Sequence, residues 1–170
     1  PGSLLDKTGQ DPAGAYEVAN ALSPDLQYYR MSLMPSLLDK VHPNIKAGYE
    51  RFALFEIGKT HGLDNGEDDD GLPREFEFTA VVVAAADKLK LSGAPYYHAR
   101  KYLEQLVRVP LEFKPVSEET AKKFAVVRPY EPSRAAMVSV KNGPYLGIIG
   151  EFRPAVARAL KLPKYCAGFE

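Results

Sequence analysis

Residues 52–62 read FALFEIGKTHG, an apolar run that becomes polar shortly after a carboxylate, Glu56. The apolar half, residues 52–57, predicts a β-strand because it is rich in aromatic and branched side chains. A carboxylate within such a strand can take part in chemistry, bind a ligand, or pair with a cation and hold the strand to its neighbours. The groups that the rest of the chain supplies decide between these roles.

The composition is that of an ordinary soluble globular protein. The chain has 170 residues, 45% hydrophobic and 26% charged, which fits one domain with a core. Lys+Arg and Asp+Glu are balanced at 22 each, so no global basic field attracts nucleic acid. The single cysteine, Cys166, excludes an internal disulfide and a cysteine-based zinc site, and it is compatible with a reducing cytoplasm. No apolar run approaches about 18 residues, so we expect no membrane span.

The periodicity around the strand predicts an α+β fold with an antiparallel sheet and helices packed on it. We expect residues 1–17 to form an irregular lead-in and residues 18–170 to form the folded module. Because the sequence does not begin with Met, we also expect it to be a piece of a longer protein. The predicted elements are a helix at 32–45 that Pro43 strains or ends, strands at 52–57 and 76–86, a helix capped by Ser92, short extended pieces at 111–116 and 124–130 with a short helix between them, a hairpin turning at Asn142–Gly143, a helix at 154–160 and a last strand at 165–170.

The sequence carries no self-evident reaction centre. It has no phosphate-binding GxxxxGK[ST] loop, no GxGxxG and no HExxH pair of histidines. Ser133 lies in EPSRAA, which we interpret as a turn, and not in a GxSxG nucleophile elbow. His98 is best interpreted as a partly buried packing histidine. The arginines to test for anion contact are Arg30, Arg128, Arg134 and Arg153, although each alone is more often a surface or salt-bridge residue.

Four stretches in order change this interpretation. NALSPDLQYYRMSLMPSLL (20–38) resembles NPLS…LR.SLLPGLL, FEIG (55–58) resembles LFEIG, EPSRAA (131–136) resembles HPGRSA, and LGIIGEFRPAVARALKL (146–162) resembles LGEIGELHP.V...L.L. These are motifs of the β subunit of phenylalanyl-tRNA synthetase, of the bacterial type. Together they cover about residues 18–170 and identify the chain as a catalytic-like core module of that family.

The resemblance implies a fold and a set of partners. The fold is the antiparallel sheet of class II aminoacyl-tRNA synthetases. The family enzyme is an (αβ)2 complex that joins phenylalanine to tRNA-Phe with ATP and magnesium, and its active site lies in the α subunit. The resemblance transfers no catalytic, cofactor or metal residue to this chain. Gly62 stands where the catalytic relatives have an arginine after the strand, with only Lys59 nearby, so we expect the isolated module to be inactive.

The resemblance also suggests roles for particular residues. Glu56 is expected to pair with an arginine, and Arg30 and Arg134 are the candidates because both lie in shared motifs. Part of a large apolar contact with the α subunit is expected from Met31, Leu33, Met34 and Leu37, together with the surface near the hairpin at 142–151. The alternative for the helix is that its apolar face only covers the sheet of its own chain.

Two other functions remain open from the sequence. The fold could belong to an independent ATP-dependent enzyme that activates another acid, which would need two arginines and a pair of carboxylates around one pocket. It could also be a tRNA-binding module in its own right, although the balanced charge and the lack of a basic and aromatic stripe argue against strong binding.

Overall fold

The structure, a computed structural model, describes residues 2–23 and 27–170. Residues 24–26, part of the first shared motif, lie outside the described residues. Six strands form one antiparallel sheet in the order β1-β2-β6-β5-β4-β3. The strands are β1 Arg51–Thr60, β2 Phe76–Ala85, β3 Leu111–Pro115, β4 Tyr130–Val140, β5 Tyr145–Phe152 and β6 Tyr165–Phe169; the helices are α1 Gly2–Lys7, α2 Met34–Lys46, α3 Pro95–Val107, α4 Glu118–Lys123 and α5 Pro154–Leu160.

Helices cover both faces of this sheet. One hydrophobic cluster joins α2, α4 and α5 to one face, with Leu38, Val82 and Ile148 among its fully buried members. A smaller cluster joins α3 to the opposite face through Leu103 and the strand residues beneath it. The α+β class with an antiparallel sheet, predicted from the sequence, is therefore confirmed. None of the described helices is long and apolar enough to cross a membrane.

Strand β1 is an edge strand with two different faces. It pairs with β2 along its whole length, from Arg51 opposite Ala85 to Thr60 opposite Phe76. Its side chains alternate between half-buried and exposed, as the two-residue period of a strand requires. Phe52 and Leu54 pack on the α2 side, whereas Phe55 and Ile57 point to the side that carries α3.

Three further predictions are confirmed at the level of local structure. Helix α2 ends at Lys46, and Pro43 lies in its last turn, where its carbonyl accepts the amide of Ala47. The hairpin joins β4 and β5 through a turn in which Asn142 has a positive φ of 58°. Helix α5 begins at Pro154 as expected, since proline suits the first helical position.

Four local expectations are wrong. The lead-in contains helix α1, because Leu5 is buried and orders it against the rest of the domain. Ser92 does not cap α3; Ala94 occupies that position because Pro95 holds the preceding residue extended. Ser133 lies within β4 and not in a turn, since a register shift after Tyr130 accommodates Pro132 in the strand. Residues 125–127 form a 3₁₀ turn instead of an extended piece.

The core of the α2 side should dominate stability. Leu38→Ala removes a fully buried side chain and should lower the free energy of unfolding by about 2–5 kcal/mol, measured by urea denaturation. Leu22→Ala is the matched control, because Leu22 is 96% exposed and its truncation should leave stability almost unchanged. Equal losses for the two variants would contradict this packing.

Candidate functional site

The Glu56 carboxylate on β1 pairs with the guanidinium of Arg30. Arg30 also donates from Nε to the carbonyl of Lys59 at 2.9 Å, and its own carbonyl accepts the amide of His61 at 2.8 Å. A Cβ at Gly58 would overlap the Arg30 guanidinium, so glycine leaves the space in which the arginine crosses the strand. The shared motif FEIG thus supplies both the acid that Arg30 pairs with and the gap that it lies in.

The structure separates the two arginines that the sequence offered as partners of Glu56. Arg134 lies on β4, where its Nη1 is 3.0 Å from Oε2 of Glu151 on β5. It therefore belongs to a different ion pair, on strands that lie across the sheet from β1. The Arg30–Glu56 pair is only partly buried, since the two side chains are 39% and 30% exposed. The stabilisation that this ion pair provides should therefore be smaller than that of a fully buried pair.

The N-terminus of α2 is satisfied by a residue that sequence reasoning missed. Leu33 occupies the N-cap position and offers no side-chain cap. Instead, Glu170 accepts hydrogen bonds from the amides of Leu33 at 2.6 Å and Met34 at 3.1 Å, and from Oγ of Ser32 at 2.7 Å. A carboxylate is favoured at a helix N-terminus, where amides point outward without partners. The available signal was a strong apolar helix whose first turn holds no acidic residue.

Burial raises the pKa of the Glu170 carboxyl. The hydrogen bonds from Ser32, Leu33 and Met34, followed by the charge of Arg30, act in the opposite direction and offset part of this rise. Glu170 thus joins the N-terminus of α2 to the end of β6, within the influence of the Arg30 charge.

The remaining candidates for chemistry are engaged in structural contacts. Lys59 pairs with Glu75. Arg128 donates to the carbonyl of Lys122, and Arg153 donates from Nε to the carbonyl of Arg128 at 3.1 Å. Burial raises the pKa of the Cys166 thiol, which keeps it protonated and unreactive.

His98 packs between the rings of Tyr102 and Tyr165, with Nε2 lying 3.4 Å from Nη2 of Arg51. Burial lowers its pKa, and the charges of Arg51 and Lys101 add to this. Within residues 2–23 and 27–170, no three His, Cys, Asp or Glu side chains form a group that could hold a metal ion. These contacts assemble no set of groups around a reacting atom.

Three of the four side chains expected at the interface are buried within the chain itself. Leu33 and Met34 are fully buried, Leu37 is almost so, and all three belong to the cluster that packs on the chain's own sheet. Met31, half-buried, lies against Gly14. Leu33, Met34 and Leu37 therefore have no surface left for the α subunit, whereas the expectation for Met31 stays a prediction. Helical spacing identified an apolar face, but that face covers the sheet of its own chain.

An exposed apolar surface lies instead on the edge strand. Phe55 and Ile57 are 72% and 60% exposed on the α3 side of β1. Arg51, at the start of the strand, points to the same side and reaches His98 of α3. Their neighbours across the ladder are Val81 and Thr79. Exposed apolar side chains beside the free edge of a ten-residue strand are typical of a surface that binds another chain.

Comparisons with known proteins agree on one family. The family model described as "Phenylalanyl tRNA synthetase beta chain CLM domain" matches residues 3–170. The phenylalanine–tRNA ligase β subunit of Streptococcus pneumoniae is 25% identical over 170 residues, covering 96% of this chain and 20% of that protein. The β subunit from Thermococcus gammatolerans is 29% identical over 165 residues, covering 97% and 26%. The chain thus spans about a fifth to a quarter of the length of these relatives.

The pairing of Arg30 with Glu56 can be measured by a double-mutant cycle of Arg30→Met and Glu56→Gln. The coupling energy should be about 1 kcal/mol in urea unfolding, because the pair is partly exposed. The control cycle, Arg134→Met with Glu56→Gln, should be additive because Arg134 pairs with Glu151. Coupling in the control and none in the first cycle would reverse this assignment.

The raised pKa of Glu170 predicts a pH dependence of stability. The folded chain keeps this proton at pH values where the unfolded chain has lost it, so stability attributable to Glu170 falls as pH rises above the ordinary value of 4.5. The free energy of unfolding, compared with that of Glu170→Gln at each pH, should therefore decline from acidic pH toward neutrality. A difference that stays constant or grows with pH would contradict the burial effect.

Proposed function

The chain belongs to the family of phenylalanyl-tRNA synthetase β-chain CLM domains, and we propose that it is a non-catalytic module through which the β subunit assembles with the α subunit. The family match confirms the resemblance carried by the four sequence motifs. The relatives are named as β subunits of phenylalanine–tRNA ligase. A β subunit implies an α partner, and an (αβ)2 complex is the assembly we propose.

The observation that supports this role is the exposed apolar pair on β1. Phe55 and Ile57 present an aromatic and an aliphatic side chain, both exposed and uncharged, and the core of an interface is apolar and depleted in charge. The strand that carries them is held in place from its other face by Arg30 and the α2 core. A rigid strand with a free edge can receive a partner without a costly ordering step. We therefore move the proposed α-subunit surface from α2 to β1.

The absence of catalysis by this module is part of the proposal. Forming an aminoacyl adenylate requires cations aimed at the reacting phosphate. Of the cations near the matching position, Lys59 is already paired with Glu75 and Arg30 with Glu56, and Gly62 has no side chain to offer. ATP would supply the phosphate and magnesium would neutralise charge in the intact complex. We propose that the intact complex uses both and that this module holds neither.

The proposal extends to the kinship of the fold, to tRNA recognition and to the place of the complex in the cell. The six-stranded antiparallel sheet is compatible with a class II synthetase core, and we propose that kinship for it. Recognition of tRNA-Phe belongs to the complex as a whole, since the formal charge of this chain is zero at neutral pH. We place the complex in the cytoplasm, where protein synthesis uses it.

Assembly can be tested by sedimentation velocity of the chain mixed with the α subunit from the same organism. The native chain should form a faster-sedimenting complex, and Ile57→Glu should weaken or abolish it by placing a charge in the apolar contact. Leu72→Glu is the matched control, because Leu72 is equally exposed at 60% but lies outside the sheet strands. Equal binding by both variants would place the contact elsewhere, and a native chain that ignores the α subunit would contradict the assembly role.

Inactivity can be tested by phenylalanine-dependent pyrophosphate exchange. The purified chain should show no exchange above background, whereas the α and β subunits together should exchange. Exchange by the chain alone, lost on Lys59→Ala, would overturn the non-catalytic assignment.

A further inference from the structure

Strand β1 has a free edge along most of its length. Its residues all pair with β2, and the ladder continues one step further, where the amide of Ala86 donates to the carbonyl of Glu50 at 2.7 Å. Hydrogen-bonded and non-hydrogen-bonded positions alternate along an antiparallel pair. The even-numbered residues of β1 therefore bond to β2, and the main-chain groups of the odd-numbered residues point away from it. Within residues 2–23 and 27–170, no other backbone group bonds to four of these outward residues, Arg51, Ala53, Phe55 and Ile57.

The outward edge is occupied at the end of the strand. The Lys59 carbonyl accepts a hydrogen bond from Nε of Arg30 at 2.9 Å, and the amide of His61 donates to the Arg30 carbonyl at 2.8 Å. Both Lys59 and His61 are odd-numbered, in agreement with the alternation derived from the other end of the strand. The edge that remains for another strand therefore runs from Arg51 to Ile57.

This edge is complementary to a second copy of itself. When two copies pair in an antiparallel arrangement about Leu54, Arg51 of each copy lies opposite Ile57 of the other. Ala53 likewise lies opposite Phe55, and each of these pairs exchanges two main-chain hydrogen bonds. The small Ala53 side chain leaves room for the Phe55 ring. The two Phe55 rings then lie diagonally across the pair, at a distance that aromatic side chains can span.

Other registers fit the edge less well. A shift of the pairing by one residue sets outward main-chain groups against inward ones. A shift by two residues in one direction sets Arg51 opposite Lys59, which has the same charge and whose carbonyl Arg30 already holds. A shift by two residues in the other direction sets Ile57 opposite Tyr49, which lies outside β1. The first register is therefore the one that uses every free position of the edge.

The charges at the two ends of β1 favour the same arrangement. Residues 62–75, which follow the strand, contain six acidic residues and one basic residue. At the other end of the strand, residues 46–51 and 86–90 together contain four basic and two acidic residues. Antiparallel pairing places the acidic segment of each copy at the same end as the basic segments of the other, and the two-fold symmetry repeats this contact. The zero formal charge of the chain is thus the sum of two ends of opposite sign, which complement each other between copies.

We propose that two copies of this chain pair through the β1 edge in this register, and that the α subunit takes the place of the second copy. The second clause rests on the proposed function, since the α subunit and the second copy both need Phe55 and Ile57. Because one short edge buries less area than a standard interface, we expect a dissociation constant of about 10 µM or weaker. At lower concentrations the chain is a single copy whose edge amides are free to exchange.

Sedimentation velocity measures the pairing directly. Over a range of about 1–200 µM, which brackets the expected constant, the native chain should shift from one copy to two. Phe55→Lys should remain a single copy throughout, because it places a charge on the edge at a side chain that is 72% exposed and not needed for folding. Val109→Lys is the matched control and should still pair, because Val109 is 46% exposed and precedes β3, the opposite edge of the sheet. A native chain that stays single at every concentration would overturn the proposal.

Disulfide cross-linking tests the register. Leu54 faces its own counterpart at a non-hydrogen-bonded position, where Cα atoms lie about 4.5 Å apart, so oxidised Leu54→Cys should form a covalent dimer. Phe52→Cys is the control, since Phe52 is likewise half-buried on the α2 side but lies opposite Glu56, and it should stay reduced. The native Cys166 is buried and does not interfere. Cross-linking of Phe52→Cys in place of Leu54→Cys would contradict this register.

The α subunit separates the remaining outcomes. Added before oxidation, it should suppress the Leu54→Cys cross-link and replace the two-copy species by a complex that contains the α subunit. A cross-link that persists in a chain bound to the α subunit would overturn the competition. A chain that never pairs but binds the α subunit would overturn the pairing and leave the proposed function intact. Pairing by a chain that ignores the α subunit would contradict the proposed function and leave the pairing intact.

Discussion

The orientation of α2 on the sheet depends on a short segment, residues 30–34, that is held from two sides. On one side Arg30 pairs with Glu56 of β1 and crosses the strand where Gly58 leaves room. On the other side Glu170, at the end of β6, accepts the first free amides of α2. Because both anchors lie on strands of the same sheet, the helix cannot shift without breaking one of them. The α2 core, with its fully buried leucines, is positioned by these two contacts.

The two faces of β1 make different contacts. The face toward α2 carries Glu56 and Gly58, and its contacts are satisfied within the chain. The opposite face presents Phe55 and Ile57, which no described element covers. One strand can therefore be fixed firmly by its own domain and still offer an apolar surface to another chain. This division, more than any reactive group, is what makes an assembly role the best account of the domain.

Much of the fold was predictable because its signals are local. Aromatic and branched side chains marked β1, Asn142 marked the hairpin, and Pro154 marked the start of α5. The first turn of α2 showed only that its cap had to come from elsewhere, and because Glu170 lies 136 residues from Met34, nothing local identified it as that cap. The helical spacing of α2 likewise gave an apolar face without saying what that face packs against. Only the assembled sheet shows that the apolar face of α2 packs against the chain's own core. It also shows that the exposed apolar pair, Phe55 and Ile57, lies on β1.

The most direct test of the account is hydrogen exchange of residues 51–60 in the free chain and in its complex with the α subunit. An edge strand that becomes an interface should gain protection at the amides on its free side. We expect this protection in β1, together with burial of Phe55 and Ile57 and no change within α2. Protection confined to the hairpin at 142–151, with β1 exchanging as in the free chain, would contradict it.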